Sequence, residues 1–195
     1  MKQSYHHGNL RDELIQTGIK MVQSVGIEKL SLRKLAASCG VSEAAPYSHF
    51  ANKEELVSAM QSYVTEQLMN CLQEAVEHTE DQNSPDAILN MGKAYVFFFR
   101  KNPEYYDFLF LQQEIKIDLT LNEEEESFLP FAYYKEKVKQ VYRKKEVTEE
   151  RIQHGMIAMW AKVHASAVPF WPSAVTSRLP SVPVSGWPGP RSWPS

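Results

Sequence analysis

The amino-acid sequence predicts an all-α fold, and three observations carry that expectation. Apolar residues recur at three- and four-residue spacing from Asn9 to about Ala167, no run alternates with period two for long enough to make a strand, and residues suited to N-caps precede the apolar stretches. The chain has 195 residues, 43% of them hydrophobic and 23% charged, which suffices for one ordinary domain or two small ones sharing a core. That apolar fraction excludes wholesale disorder.

Taken in order, Leu10, Leu14, Ile15, Val22 and Val25 mark a first helix that Gly26 stops, with Gly18 inside it signalling close packing. Ser31 caps a second helix of barely two turns, through Leu32, Leu35 and Ala36, ending at Cys39-Gly40. Ser42 is the N-cap expected for a third, ending near Phe50. Asn52 then caps a long helix with Leu56, Val57, Met60, Val64, Leu68 and Leu72 on one side. After the polar break Thr79–Pro85 come a helix from Asp86 to about Lys101, one opened by Pro103 and running to about Gln113, and one from about Phe128 to Lys145. Between the last two lies the acidic run Glu123–Glu126, read as a solvated loop. Thr148, followed by Glu149 and Glu150, opens a final helix through Met156, Met159, Trp160 and Val163.

No stretch approaches the ~18 apolar residues of a membrane span, and Met1–His7 has no apolar signal segment, so neither a membrane nor a secreted chain is expected. Two cysteines, Cys39 and Cys71, exclude a disulfide scaffold and point to a reduced, cytoplasmic chain. Cys39 reads as filling a small buried space. No Ser/His/Asp or Cys/His spacing, phosphate-cradling glycine loop or His/carboxylate metal pattern occurs, so the expectation is a non-enzyme with no cofactor, metal or catalytic residue. His6 and His7 read as a solvated terminus rather than a minor-groove arm or metal pair.

Residues 31–50, SLRKLAASCGVSEAAPYSHF, have the layout of a helix-turn-helix. Leu32, Leu35 and Ala36 face inward, Gly40 permits the sharp turn, and Val41 and Phe50 anchor the second helix. Glu43, Ala44, Ala45, Tyr47, Ser48 and His49 remain for base edges and phosphates. Pro46 lies just past the first turn, where a missing N–H costs least.

Residues 9–68 resemble the DNA-binding domain of the tetracycline-repressor (TetR) family of bacterial transcriptional regulators. The matching residues are Val25-Gly26, Leu32-Arg33-Lys34-Leu35-Ala36, Gly40-Val41-Ser42, Tyr47-Ser48-His49-Phe50 and Asn52-Lys53-Glu54-Glu55-Leu56. Tyr5–Leu10 and Ala45-Pro46-Tyr47 resemble a subgroup whose ligand domain carries Trp-x-x-x-His-Gly; here Trp160 and His164 are followed by Ala165. The resemblance implies that Tyr47 and Lys53 hold DNA phosphates, with Arg33 and Lys34 as further phosphate candidates. It places Ser42, Glu43, Ala44, Ala45 and His49 at or near the DNA, Glu43 suited to a cytosine amino group and Ala44 to a thymine methyl. Residues 1–60 hold seven Lys and Arg against six Asp and Glu, so modest non-specific affinity is expected, with two half-sites acting together.

Twelve of the eighteen Phe and Tyr residues fall between 95 and 134. They exceed what one helix face can bury, and an apolar pocket for a small-molecule effector is expected among Phe97, Phe98, Tyr105, Phe108, Phe128, Phe131, Trp160 and His164. Trp160 and His164 share a face at i, i+4 and read first as a helix–helix seam.

From residue 169 to the end there are seven of the eleven prolines, three of the four tryptophans, and no Lys, Asp or Glu. The family's last helix cannot form there, since the longest proline-free run is Ser173–Leu179. An out-of-frame or cloning-derived end is the favoured reading, a proline-rich docking tail the alternative. Either leaves Trp171, Trp187 and Trp193 largely exposed and the dimer seam thin.

The resulting expectation is a helix-turn-helix domain over 1–51, a helical ligand-binding and dimerisation domain over 52–168, and an irregular tail over 169–195. The function expected is that of a homodimeric repressor on a pseudo-palindromic operator in double-stranded DNA, released by a small hydrophobic or aromatic ligand. The alternative is a helical ligand-carrier or protein-interaction module with a non-functional head.

Overall fold

Seven α-helices and no strand make up the described residues of the computed structural model, which are 10–112, 115, 117–121, 128–143 and 146–168. The helices are α1 (Leu10–Val25), α2 (Leu32–Ser38), α3 (Lys53–Glu77), α4 (Pro85–Lys101), α5 (Pro103–Tyr106), α6 (Leu129–Tyr142) and α7 (Glu149–Ala167). The expectations for His6 and His7, for Glu123–Glu126 and for the tail from 169 onward lie outside the described residues.

Helix α1 buries Leu14, Ile15, Gly18, Ile19 and Val22 and stops at Gly26, whose φ of +84° suits glycine. Gly18 is there because α3 passes close by: a Cβ at that position would stand 3.0 Å from the Met60 sulfur. Ser31 caps α2, its Oγ accepting from the Lys34 N–H at 3.3 Å. The exit from α2 is a Schellman turn, with the Val41 N–H donating to the Ala36 carbonyl at 3.0 Å and Gly40 at φ +67°.

The third helix differs from expectation. Only Ala45–Ser48 is helical, as a single 3-10 turn, and the Ser42 side chain caps nothing. Pro46 has no N–H to give the Ser42 carbonyl, which accepts instead from the Ala45 N–H at 3.0 Å. A residue preceding proline also disfavours the α conformation, which adds to the cost of a regular α-helix through Ala45.

Asn52 starts α3 as expected, accepting from the Glu55 N–H at 2.8 Å while Glu55 reaches back to the Ala51 N–H at 2.6 Å. The 25 residues of α3 span ~37 Å, and Leu56, Met60, Val64, Leu68, Leu72 and Val76 form one buried stripe along them. The helix expected from Pro103 to Gln113 ends at Tyr106 and widens into a π-helical turn, Asp107–Leu111, closed by the Gln112 N–H donating to the Asp107 carbonyl at 3.1 Å. That extra residue per turn puts Asp107, Phe108 and Leu109 all in the interior. Thr148 caps α7, accepting from the Arg151 N–H at 3.4 Å.

One contiguous apolar core runs from Leu14 in α1 to Ala167 in α7, threaded by the α3 stripe. No helix of the described residues is long and apolar enough to cross a membrane.

Candidate nucleic-acid interface and ligand region

The head comprises α1, α2, the 3-10 turn and the start of α3. Phe50 is its anchor, 1% exposed, with the Arg11 guanidinium 5.5 Å from its ring centre. Burial of Phe50 and of Pro46 turns the rest of the 3-10 segment outward. Tyr47 is 56% exposed. Ser42, Ala45 and His49 line one concavity with Gly40, Val41 and Ser48. Glu43 and Ala44 are exposed, and Lys53 is half-buried at the first position of α3, where unpaired backbone N–H groups favour an anion.

The cationic candidates on α2 are engaged in different ways. The Arg33 Nε lies 2.9 Å from Glu43 Oε1, both side chains largely exposed. This pair ties α2 to the turn before Ala45 and sets a cation and an anion side by side. Lys34 donates to the Lys29 carbonyl at 3.3 Å, covering the entry to α2.

The aromatic region converges on His164. Its Nδ1 is 2.8 Å from the Tyr95 hydroxyl and its Nε2 3.1 Å from the Tyr106 hydroxyl. Trp160 stacks on the imidazole at 5.3 Å, and Phe110 meets it edge-on at 4.7 Å. With two hydroxyl partners the neutral ring is satisfied on both nitrogens, and burial pushes its pKa below the ordinary 6.5. Burial likewise holds the Tyr95 hydroxyl well above its ordinary range.

The ligand-region residues do not surround one hollow. Phe108 and Phe131 are fully buried and Phe128 nearly so, while Phe98 packs between Phe99 and Tyr105. Tyr105 turns its ring edge-on to Tyr63 of α3. Phe97 is 67% exposed on the outer side of α4, away from the other rings. Beside Trp160 there is a cavity of about 20 Å³, lined also by Met91, Gly92, Tyr95, Met159 and Val163, room for roughly one water, and a cleft of about 300 Å³ lies among Ile88, Tyr134, Val138, Met156 and Met159. Tilted and edge-on ring pairs interlock across four helices here.

The sequence did not single out the polar contacts that join head and body. Asp107, 2% exposed, accepts from Gln23 of α1 at 3.2 Å through Oδ2, and its Oδ1 has no hydrogen-bond partner among the described residues. Burial raises its pKa. Gln112 accepts from the Ile27 N–H at 3.5 Å. Tyr106 and Asp107 are consecutive, so one residue reaches His164 while the next holds the head. A buried Asp just after Tyr106 carries no sequence signal, because only the π turn carries it inward.

Residues 14–60 match the family model described as "Bacterial regulatory proteins, tetR family". A nicotine-responsive transcriptional repressor, HdnoR of Paenarthrobacter nicotinovorans, is 34% identical over 71 residues, 36% of this chain and 37% of that protein. The nucleoid occlusion factor SlmA of Vibrio campbellii is 32% identical over 96 residues, 49% of this chain and 48% of that protein. The chain therefore spans about half the length, or less, of the curated relatives it matches. A crystal structure of a bacterial regulatory protein in the tetR family from Rhodococcus RHA1 superposes with a TM-score of 0.58 at 19% identity, covering 84% of this chain and 85% of that one. This likeness establishes the fold.

Proposed function

We propose that this chain, whose residues 14–60 carry the tetR-family module, is a sequence-specific DNA-binding transcriptional repressor released from its operator by a small hydrophobic or aromatic ligand. The carrying observation is the glycine-turned head, which buries Pro46 and Phe50 while leaving Tyr47, Ala44 and the Ser42–Ala45–His49 concavity outward. In this reading Tyr47 and Lys53 set register on the phosphates, Arg33 and Lys34 add phosphate contacts, and Ser42, Glu43, Ala44, Ala45 and His49 read the groove. Two copies act on a pseudo-palindromic site in the cytoplasm. A ligand preferring one arrangement of the two heads shifts the population away from the bound state. The contacts His164–Tyr106 and Asp107–Gln23 support such coupling, because adjacent residues join the aromatic cluster to α1.

Mobility shift with palindromic fragments of the chain's own upstream DNA tests this. A specific complex is expected whose affinity falls steeply with salt and whose salt slope becomes shallower in Lys53→Ala by ~1. A folded dimer retarding no palindromic fragment at low salt would overturn it. One observation favours the second reading, a ligand-carrier or interaction module with an inactive head: the Arg33–Glu43 pair neutralises a cation beside the reading surface. That module would form only weak complexes indifferent to sequence.

A further inference from the structure

Helices α4 and α7 run alongside each other in the same direction. Ile88 shares a cleft with Met156, a Cβ on Gly92 would stand 3.2 Å from Val163, and Tyr95 reaches His164. On their outer side lies an open groove of about 420 Å³, within the ~300–1,000 Å³ of ligand clefts. Its surface is Leu89, Val96, Phe97, Met159 and Val163. Leu89, Phe97 and Met159 are 50%, 67% and 40% exposed and line this groove together.

The charges beside this groove all have one sign. Lys93, Arg100 and Lys162 line it, and none of them is in an ion pair among the described residues. From Ala87 to Pro103, and from Arg151 to Val168, there is no Asp or Glu, in a chain whose net charge is −3. A symmetric contact between two copies through this face would set these cations against themselves. The groove is also one side of a thin wall: Ile88, Gly92, Met159 and Val163 border both it and the cavity beside Trp160. Gly92 contributes no side chain to that wall, and the Met159 thioether is the most adaptable one available.

The geometry points to this groove as the binding site of an amphipathic anion, an aliphatic carboxylate whose chain lies along Leu89, Phe97 and Met159 and whose charge is matched by the cations bordering the groove, Lys93, Arg100 and Lys162. The eleven-residue step from Leu89 to Arg100 covers ~16 Å, enough for an extended alkyl chain of medium length. Its inner end presses on Met159 and Val163, next to Trp160 and His164. The inference rests on the effector-responsive reading above and names the effector's chemical class.

Calorimetric titration of the full chain with decanoate tests it, with decanol as the uncharged chain and acetate as the chainless anion. Decanoate should bind at least ~tenfold more tightly than decanol and acetate not at all. Arg100→Ala and Lys162→Ala should together weaken decanoate by more than ~tenfold, and Phe97→Ser should weaken both long-chain probes. Equal binding of decanol and decanoate, or decanoate binding unchanged in the double variant, would overturn the proposal. Two other occupants have their own signatures, each in the absence of decanoate binding to the full chain. Loss of self-association in Phe97→Ser would assign the groove to a second copy. Decanoate binding that appears only when the chain is cut after Val168 would assign it to the chain's own residues 169–195. Mobility shift of the ligand-free protein keeps the two readings apart. Retarded DNA without decanoate binding removes the groove proposal alone, and decanoate binding without retarded DNA removes the repressor reading alone.

Discussion

The head and the body of this molecule are held by different kinds of contact. In the head, order comes from hydrogen bonds a few residues long: Ser31 to Lys34, Val41 to Ala36, Asn52 to Glu55. In the body it comes from rings brought together across dozens of residues, such as Tyr95 and Tyr106 on His164 or Phe131 on Trp160. The head also buries an apolar set, from Leu14 to Phe50, and turns Tyr47 outward. The body buries Tyr95, Phe99, Phe108 and Phe131 against one another and leaves Phe97 outside. Local caps hold the head's turns in shape without help from distant residues. A close-packed core must instead be finished from within, and small changes of volume there are felt.

The contrast can be broken most forcefully in the body. Phe99→Ala removes a fully buried ring that meets Tyr95, Tyr106 and Phe110, and should cost about 3–5 kcal/mol in chemical denaturation. If it costs no more than a cap substitution in the head, the comparison fails. Asp107→Asn comes next and has the opposite sign. It removes a buried charge but keeps an oxygen for Gln23, so unfolding at neutral pH should become harder by about 1–2 kcal/mol. Burial raises the carboxyl pKa, so the native state holds a proton that the unfolded chain gives up at lower pH. The cost of Asp107 therefore grows as pH rises from near 3.8 through the folded value and is fully present above it, and the gain in the variant should vanish in acid.

His164 sharpens the comparison through pH. Its folded pKa lies below 6.5, so on acidification the unfolded chain takes up the proton first. Its contribution to stability is complete above about 6.5, falls as pH drops below that toward the folded value, and levels off beneath it. Denaturation midpoints of His164→Gln, whose amide can still meet both tyrosines, should lack this component of the acid slope.

Smaller effects belong to the head. Ser31→Ala and Asn52→Ala should each cost ~1 kcal/mol by thermal unfolding, since each removes a single cap. Smallest of all, Glu43→Gln should change stability by less than ~0.5 kcal/mol, because the pair with Arg33 is exposed. The same change frees the Arg33 guanidinium, and mobility shifts should show tighter non-specific DNA binding with a steeper salt dependence. An unchanged salt slope would mean that Arg33 does not face the phosphates.

The helices with strong boundary chemistry were legible to within a residue or two. Asn52, Thr148 and Gly26 stand where their side chains, or the lack of one, predict an end. The exceptions are physical. Pro46 starved the third helix of the hydrogen bond that Ser42 was expected to organise, and the chain past Tyr106 widened into a π turn that no spacing announces. Among the ligand-region residues, Trp160 and His164 do meet, and a seam was the first reading of that pair. Phe97 does not join them, because adjacent aromatic residues on α4 point 100° apart and the third side of the helix faces out.

Caps, turns and the helical period are properties of neighbours in the chain, so they can be read before anything folds. An all-α chain with a glycine-turned head followed from them, while the roles expected of residues such as Tyr47 and Lys53 came from the family resemblance. Which rings would interlock and which would stay outside could not follow, because that depends on distances between helices far apart in the chain. The burial of Asp107 against Gln23, the twofold hold of tyrosines on His164 and the cationic apolar groove between α4 and α7 came into being only when those helices packed. Packing energy is a sum over contacts that the linear order does not contain.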